Sequence, residues 1–453
     1  MNLPPSPISL PIIGHAHLWT NPKDMIKTAM AFSKTLGGIY SMQFGSQTTI
    51  FICDPKLIKE ACITHRAIMS DRPRKELKGL RINYAKDPKG GMIISDHNEY
   101  HTTYRKLFSN HFTSGEGMKN IKPIIAFEIK DTLERLTNIA SENKVITGKE
   151  VSYALTFNVI TKLFLNKRGW NHQNKDVADV FHITAEVVDF VLVPFLEDLY
   201  APLAIFDKKR VKEITELIKK RDALYIRILE GERKTFKQGV TRHWLDIIFS
   251  EHPEKTIDVL VPLMSEIIAG GFDTTAHALQ TSVTILAKHP DIQEKLRDAV
   301  KDVNVDETPL KDLQNIPYLR NFVFEVFRIK PILPLLVVHK AREQVELGGY
   351  TIPKNAIIQL VHQYECKSEK LWKNPEEFDP SRWDDPPLNI YPFGQGVRRC
   401  PGERIGKIIL FKAVASFVQR FSWKETEVPN SMDVEFASIS KFVKEPRFYA
   451  QVL

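Results

Sequence analysis

The chain has 453 residues, 43% hydrophobic and 26% charged, with a formal net charge of +8 at pH 7. That balance excludes a disordered or fibrous chain and supplies ample apolar material for a core. The four cysteines, Cys53, Cys62, Cys366 and Cys400, form no C-x-x-C pair. A disulfide framework is therefore excluded and a reducing compartment expected, although a single bridge stays open.

The N-terminus reads NLPPSPISLPIIGH, and Pro4, Pro5, Pro7 and Pro11 predict a stiff, extended segment over 1–20. This is either a natural start or a hinge beside a membrane anchor. No run of eighteen apolar residues exists, so no transmembrane helix is expected. Helical spacing follows over Lys23–Leu36, and Gly38–Phe44 and Thr48–Cys53 alternate as a strand pair.

From about 96 to 330 the pattern is helical, with long segments at Lys208–Lys237 and Thr256–Lys288. The basic cluster Lys208–Arg221 reads as a solvated helix face. Phe190–Phe206 is apolar apart from Glu197 and Asp198. Within the second long helix lies AGGFDTTAHAL, where Gly270 and Gly271 cost about 1 kcal/mol each in helix propensity. Beside them stand Asp273 and Thr274; the ordinary role of such a mid-helix hydroxyl is a bond to its own i−4 carbonyl. In NFVFEVFRIK, Glu325 and Arg328 share one helix face at i,i+3, flanked by apolar residues.

Strand patterns return over Val337–Ile352 and Ala356–His362, then a turn-rich tract runs from 365 to 400 with Pro375, Pro380, Pro386 and Pro387. A helix over Glu403–Arg420 follows. With no repeat and no low-complexity linker, the chain reads as one domain over 21–453, mainly α with a smaller β-rich portion.

Just before the last helix stands PFGQGVRRCPG, Pro392–Gly402. A helix beginning after Cys400 aims orphan N–H groups and the positive end of its dipole at the sulfur, which is expected to lower the thiol pKa. Gly396 and Gly402 would let backbone approach something large and flat. Arg398 offers a fork suited to a carboxylate. Together these features describe the proximal side of a haem with propionates.

The string F-x-x-G-x-R-x-C-x-G, here Phe393, Gly396, Arg398, Cys400 and Gly402, resembles the haem-binding signature of the cytochrome P-450 superfamily of haem-thiolate monooxygenases. The resemblance extends from LPIIGH through SDRP at Ser70–Pro73 to the C-terminal strands, in the style of the microsomal eukaryotic branch. It implies the cytochrome P-450 fold and haem b with Cys400 as axial iron ligand. Glu325, Arg328 and Arg382 of FDPSRW match the structural triad that holds the cysteine loop. Asp273 and Thr274 match the distal acid–alcohol pair that delivers protons to dioxygen, with Gly270 and Gly271 leaving room over the haem. Arg105 of HTTYRKL matches a propionate contact. His101 stands where the family usually has tryptophan, so the haem is expected to be held differently on that side. His339 matches another propionate-facing position.

The resemblance further implies one oxygen atom of O2 inserted into a lipophilic substrate (a steroid, fatty acid or foreign compound). Its expected lining is Val187–Leu196, Ile267–Ala269, Leu333–Val338 and Ile439–Val443. With no G-x-G-x-x-G element and no length for a flavin domain, NADPH-derived electrons are expected from a separate NADPH–cytochrome reductase, with cytochrome b5 as a further donor. The reductase would dock on the cysteine side at Arg399, Arg404 and Lys407. The mild basic excess also suits an anionic membrane surface. The expected location is the cytosolic face of the endoplasmic reticulum membrane, with a soluble cytoplasmic form as the alternative. No nucleic-acid partner is expected, since zinc-finger spacing and RRM-type aromatics are missing from the sequence. Two other classes stay open: a reductase-independent enzyme that rearranges hydroperoxides, which usually lacks the threonine, and a haem sensor or carrier without turnover.

Overall fold

Helix Ile257–Lys288 is apolar around most of its circumference, so it must be covered on nearly every side. By length and composition it would suit a bilayer, but here it is the central core helix. It packs against helices Gly148–Leu165, Lys208–Thr235, Pro317–Ile329 and Glu403–Arg420. The computed structural model describes residues 2–18, 25–85, 91–169, 175–192, 194–253, 256–385, 390–436, 440–442 and 444–453.

Around this axis the chain runs in order through helices Met25–Leu36, Glu99–Phe108, Gly115–Ser141, Gly148–Leu165, Lys175–Leu192 and Lys208–Thr235. Helix Gly148–Leu165 starts on a capping box: Thr147 Oγ1 accepts from the Glu150 N–H at 3.3 Å, and Glu150 accepts from the Thr147 N–H at 2.7 Å. Trp244–Glu251, Pro290–Val300 and Pro317–Ile329 follow, and Glu403–Arg420 closes the helical part with its predicted bounds.

The β-rich portion is a sheet of four strands. Ile39–Phe44 and Gln47–Ile52 form the predicted hairpin, Ile357–Leu360 lies parallel to the second of them, and His339–Lys340 adds antiparallel at the edge. Three smaller sheets involve residues 146–147, 421–425 and 447–452, then 345–347 with 350–352, then 434–436 with 440–442. The proline-rich start is not extended throughout as expected: Leu10 and Gly14 exchange backbone bonds of 2.9 and 3.0 Å around a tight turn, and Ala16–Leu18 forms a short turn of helix. It is tied to the hairpin, with the Ser41 N–H donating to the Pro5 carbonyl at 2.8 Å and the His15 N–H to Gln43 at 2.7 Å.

Two further expectations change here. The basic cluster is not wholly a solvated face: Arg221 is 2% exposed and donates to Asp222 and to Asn83, because its side chain points into the neighbouring helix layer. The turn-rich tract also contains a helix, His362–Lys367; Pro386 and Pro387 lie outside the described residues. All four cysteines are free thiols.

Candidate active site

Of the predicted residues, His101, Arg105, Gly270, Asp273, Thr274, His339, Phe393, Arg398 and Cys400 meet at one cavity of about 330 Å³, bounded below by the cysteine loop and above by the middle of helix Ile257–Lys288. The loop is shaped by two left-handed glycines, Gly394 at φ 68° and Gly396 at φ 64°. The Cys400 N–H closes it by donating to the Phe393 carbonyl at 2.7 Å. A Cβ at Gly396 would sit 2.0 Å from the Cys62 carbonyl oxygen, so this glycine serves close packing inside the protein, and not the cavity. Gly402 caps the helix Glu403–Arg420, and a Cβ there would meet only the Cys400 sulfur, at 3.9 Å.

Cys400 is the one exposed cysteine of the four, and it opens onto the cavity. The expected drop in its pKa is not what the surroundings produce. Burial pushes the thiol up, and the Gly402 and Glu403 N–H groups and Arg105 oppose this only in part. Desolvation of a lone thiolate outweighs the helix terminus here.

Glu325, Arg328 and Arg382 come together behind this loop. Arg328 is wholly buried and grips Glu325 with two bonds of 2.8 and 2.7 Å. Arg382 Nε donates to the same carboxylate at 3.0 Å, Trp383 Nε1 at 2.9 Å and the Asp379 N–H at 2.9 Å. The other guanidinium hydrogens of Arg328 reach the carbonyls of Cys366, Pro375 and Glu377. The triad therefore ties helix Pro317–Ile329 to the tract that leads into the cysteine loop.

One wall of the cavity is cationic. Arg398 donates to the carbonyls of Ser70 and Ser95 at 2.8 and 2.5 Å, and its Nη1 is buried without a partner among the described residues. His101 is 2% exposed and its Nδ1 is likewise unpartnered. Burial, then Arg398 and Arg105, push its pKa down to about 3. Arg105 lines the same wall and donates to the Arg399 carbonyl. His339 donates from Nδ1 to the Met69 carbonyl at 2.8 Å. In the neutral ring its Nε2 is then an acceptor, and burial with Arg72 nearby holds the pKa well down. Only a bound anion would favour a second proton there.

The distal helix separates its two glycines. Gly270 faces the cavity, where a Cβ would meet only Ile93 Cδ1 at 3.8 Å. Gly271, expected to leave room over the haem, instead faces helix Gly148–Leu165; a Cβ there would lie 2.5 Å from Ile160 Cδ1. Asp273 and Thr274 both line the cavity, and Thr274 Oγ1 donates to the Gly270 carbonyl at 3.0 Å, its ordinary mid-helix bond. Of the expected lining, Val187, Val188, Val191, Ala269, Leu333, Leu336 and Val337 reach the cavity. Ile439 and Val443 lie outside the described residues.

Sequence reasoning missed two buried groups at this cavity. Arg72, quoted only within SDRP, donates to the carbonyls of Ile93, Val337 and Val338 and adds to the cationic wall. Glu266 accepts from Tyr84 Oη at 2.6 Å and from the N–H groups of Ile93 and Ile94 at 2.6 and 3.2 Å. Burial pushes its pKa up to about 7 against these donors. Its signal was available: a carboxylate on the apolar part of the long helix, like Asp273.

The cytochrome P450 family model matches residues 4–449. The chain belongs to the cytochrome P450 family. This P450 is 29% identical over 448 residues to cytochrome P450 81F1 of Arabidopsis thaliana, covering 94% of this chain and 88% of the relative. It is 28% identical to a steroid 17-alpha-hydroxylase/17,20 lyase of Ictalurus punctatus, covering 98% and 90%, and 26% identical to a ferruginol synthase of Isodon rubescens, covering 95% and 90%. A zebra fish cytochrome P450 solved with progesterone has the same fold, with a TM-score of 0.81 at 22% identity over 94% of this chain and 99% of that one. The enzyme is a haem-thiolate monooxygenase, an oxidoreductase that incorporates oxygen from O2. The donor set of the cavity fits a haem: an accessible sulfur on its floor, and orphaned Arg398 and His101 nitrogens on a cationic wall suited to two carboxylates.

Proposed function

We propose that Cys400 would hold the haem iron through its sulfur and that Arg398, Arg105, His101 and His339 would hold the propionates of haem b. Phe393, Gly396 and Gly402 shape the loop beneath it. Bound there, the haem supplies the redox chemistry that inserts one oxygen atom of O2 into a lipophilic substrate. One observation carries this reading: Cys400, Arg398, Asp273 and Thr274 all line one cavity.

The remaining roles belong to the chain itself. Val187, Val191, Leu336 and Val337 exclude water and bind apolar substrate surface. Asp273 carries protons at its carboxylate, and Thr274 passes them on at Oγ1 once that hydroxyl swings off the Gly270 carbonyl. Glu325, Arg328 and Arg382 hold the cysteine loop without touching substrate. Residues 21–453 act as one monooxygenase domain and 1–20 as a hinge.

NADPH-derived electrons would arrive from a reductase, with cytochrome b5 as a second donor, at the depression over Cys400. Lys122, Lys311, Arg399, Arg404 and Lys407 line it, although Glu403 engages Arg399 and Lys407. Membrane association at the endoplasmic reticulum is supported by exposed Ile8, Ile12, Ile205 and Phe206. Gly14 bridges to Phe44, and the adjoining Gly45 packs near Tyr200, so both apolar stretches adjoin one hairpin turn.

The test is reconstitution with NADPH and a reductase across a library of lipophiles. NADPH-dependent hydroxylated product supports the reading. Spectral binding shifts without turnover would make the protein a carrier, and reductase-independent conversion of hydroperoxides would make it a rearranging enzyme.

A further inference from the structure

Helices Gly148–Leu165 and Ile257–Lys288 pack closely at Gly271, where a Cβ would lie 2.5 Å from Ile160 Cδ1. That closeness brings Tyr153 of the first helix onto Asp273 of the second. Tyr153 Oη donates to Asp273 Oδ1 at 3.1 Å. One turn onward, His277 Nδ1 lies 2.7 Å from the Asp273 main-chain oxygen and 3.3 Å from the same Oδ1. A carbonyl oxygen only accepts, so Nδ1 carries the hydrogen and donates it to the Asp273 main chain, with the ring held within ion-pair distance of Oδ1. Tyr153, Asp273 and His277 are 9%, 7% and 3% exposed, so water competes little for these bonds. Of the three, only Asp273 reaches the cavity.

We propose that Tyr153 and His277 are positioning residues for proton delivery: Tyr153 by its bond to Oδ1, and His277 by a ring fixed to the Asp273 main chain and lying against Oδ1, hold the Asp273 carboxylate in one orientation beside Thr274. The inference rests on Asp273 as the proton carrier. A carboxylate on a helix otherwise has several rotamers, and a misdirected one cannot serve the hydroxyl next to it. A bond from one helix and a ring contact from the other remove that freedom.

The test uses the full-length holoenzyme with its reductase and compares Tyr153→Phe, His277→Leu and His277→Asn with Asp273→Asn. Cofactor content and the substrate-binding constant should match the wild type in all four. Loss of a hydrogen bond to a charged group predicts that Tyr153→Phe lowers kcat and the product-to-peroxide ratio about tenfold with KM unchanged, and loss of the ring beside Oδ1 predicts a change in the same direction for His277→Leu. His277→Asn, whose amide N–H reaches near the position of Nδ1, should restore most of the ratio. If Tyr153→Phe and His277→Leu keep wild-type coupling while Asp273→Asn loses it, the positioning role is wrong. If Asp273→Asn itself keeps coupling, the proton-carrier reading fails instead. Independently of turnover, 15N-labelled histidine in the carbon-monoxide-bound holoenzyme should show His277 as the Nδ1–H tautomer. An Nε2–H tautomer would overturn the proposal even if the variants fold poorly.

Discussion

Replacing Glu325 by glutamine keeps its shape and removes its charge. Oε1 now accepts from Arg328 Nη2, Arg382 Nε and the Asp379 N–H, and Oε2 from Arg328 Nε and Trp383 Nε1. Whichever way the amide is turned, its NH2 must face two or three of these donors. Glu325 and Arg328 are both 0% exposed, so no water replaces the lost bonds. Breaking one side of a buried ion pair costs about 3–5 kcal/mol, which is roughly two to three and a half powers of ten in the folding equilibrium. Trp383 donates to Glu325 and its ring lies 5.3 Å from that of Trp372, so tryptophan fluorescence during guanidinium denaturation reads this region directly. The Glu325→Gln enzyme should unfold at a markedly lower midpoint with an unchanged slope. A midpoint equivalent to less than about 1 kcal/mol of loss, no more than an exposed ion pair is worth, would refute a structural keystone at this position.

Gly396→Ala forces a side chain into a left-handed conformation and onto the Cys62 carbonyl; strain of about 1–3 kcal/mol should shift the cysteine loop. Haem absorbance per protein should fall while far-ultraviolet circular dichroism is kept; full haem content would contradict this. A second expectation concerns pH. Burial pulls His362 down, but the Cys366 sulfur and Glu365 outweigh it and push its pKa up to about 10. The folded value exceeds the ordinary 6.5, so this stabilisation is complete below pH 6.5 and lost as pH rises through about 10. Thermal-melt midpoints should fall across that window in the native enzyme and fall less in His362→Gln; identical pH slopes would exclude the linkage. Reductase docking on the basic depression should weaken with salt, since exposed charges are screened over about 10 Å at 0.1 M ionic strength. Lys311→Glu should raise the KM for reductase several-fold and flatten that salt dependence; an unchanged KM would move the docking site elsewhere.

What was legible in the sequence was local. The cysteine loop could be read because its glycines, arginine and sulfur lie within one short turn that the next helix completes. Glu325 and Arg328 share a helix face by spacing alone, but Arg382 is 57 residues away and was found only through the family resemblance. Properties set by distant neighbours were not legible. Periodicity could not tell that Gly271 faces Ile160 whereas Gly270 faces the cavity, nor that Arg221 turns inward to Asn83. The Tyr84–Glu266 bond spans 182 residues, beyond any local pattern. The pKa of Cys400 was misjudged because helix-terminus effects are visible in sequence, whereas desolvation exists only once the core has closed around the sulfur.

The central claim is tested most directly by the spectrum of the reduced, carbon-monoxide-bound protein in two variants. Both Cys400 and Cys62 border the cavity, and only Cys400 stands at the head of the closing helix. Cys400→Ser should abolish the long-wavelength absorption of a thiolate-ligated haem together with product formation, while Cys62→Ser keeps both. A long-wavelength band that survives in the Cys400→Ser protein would contradict the assignment of the iron ligand and the functional account built on it.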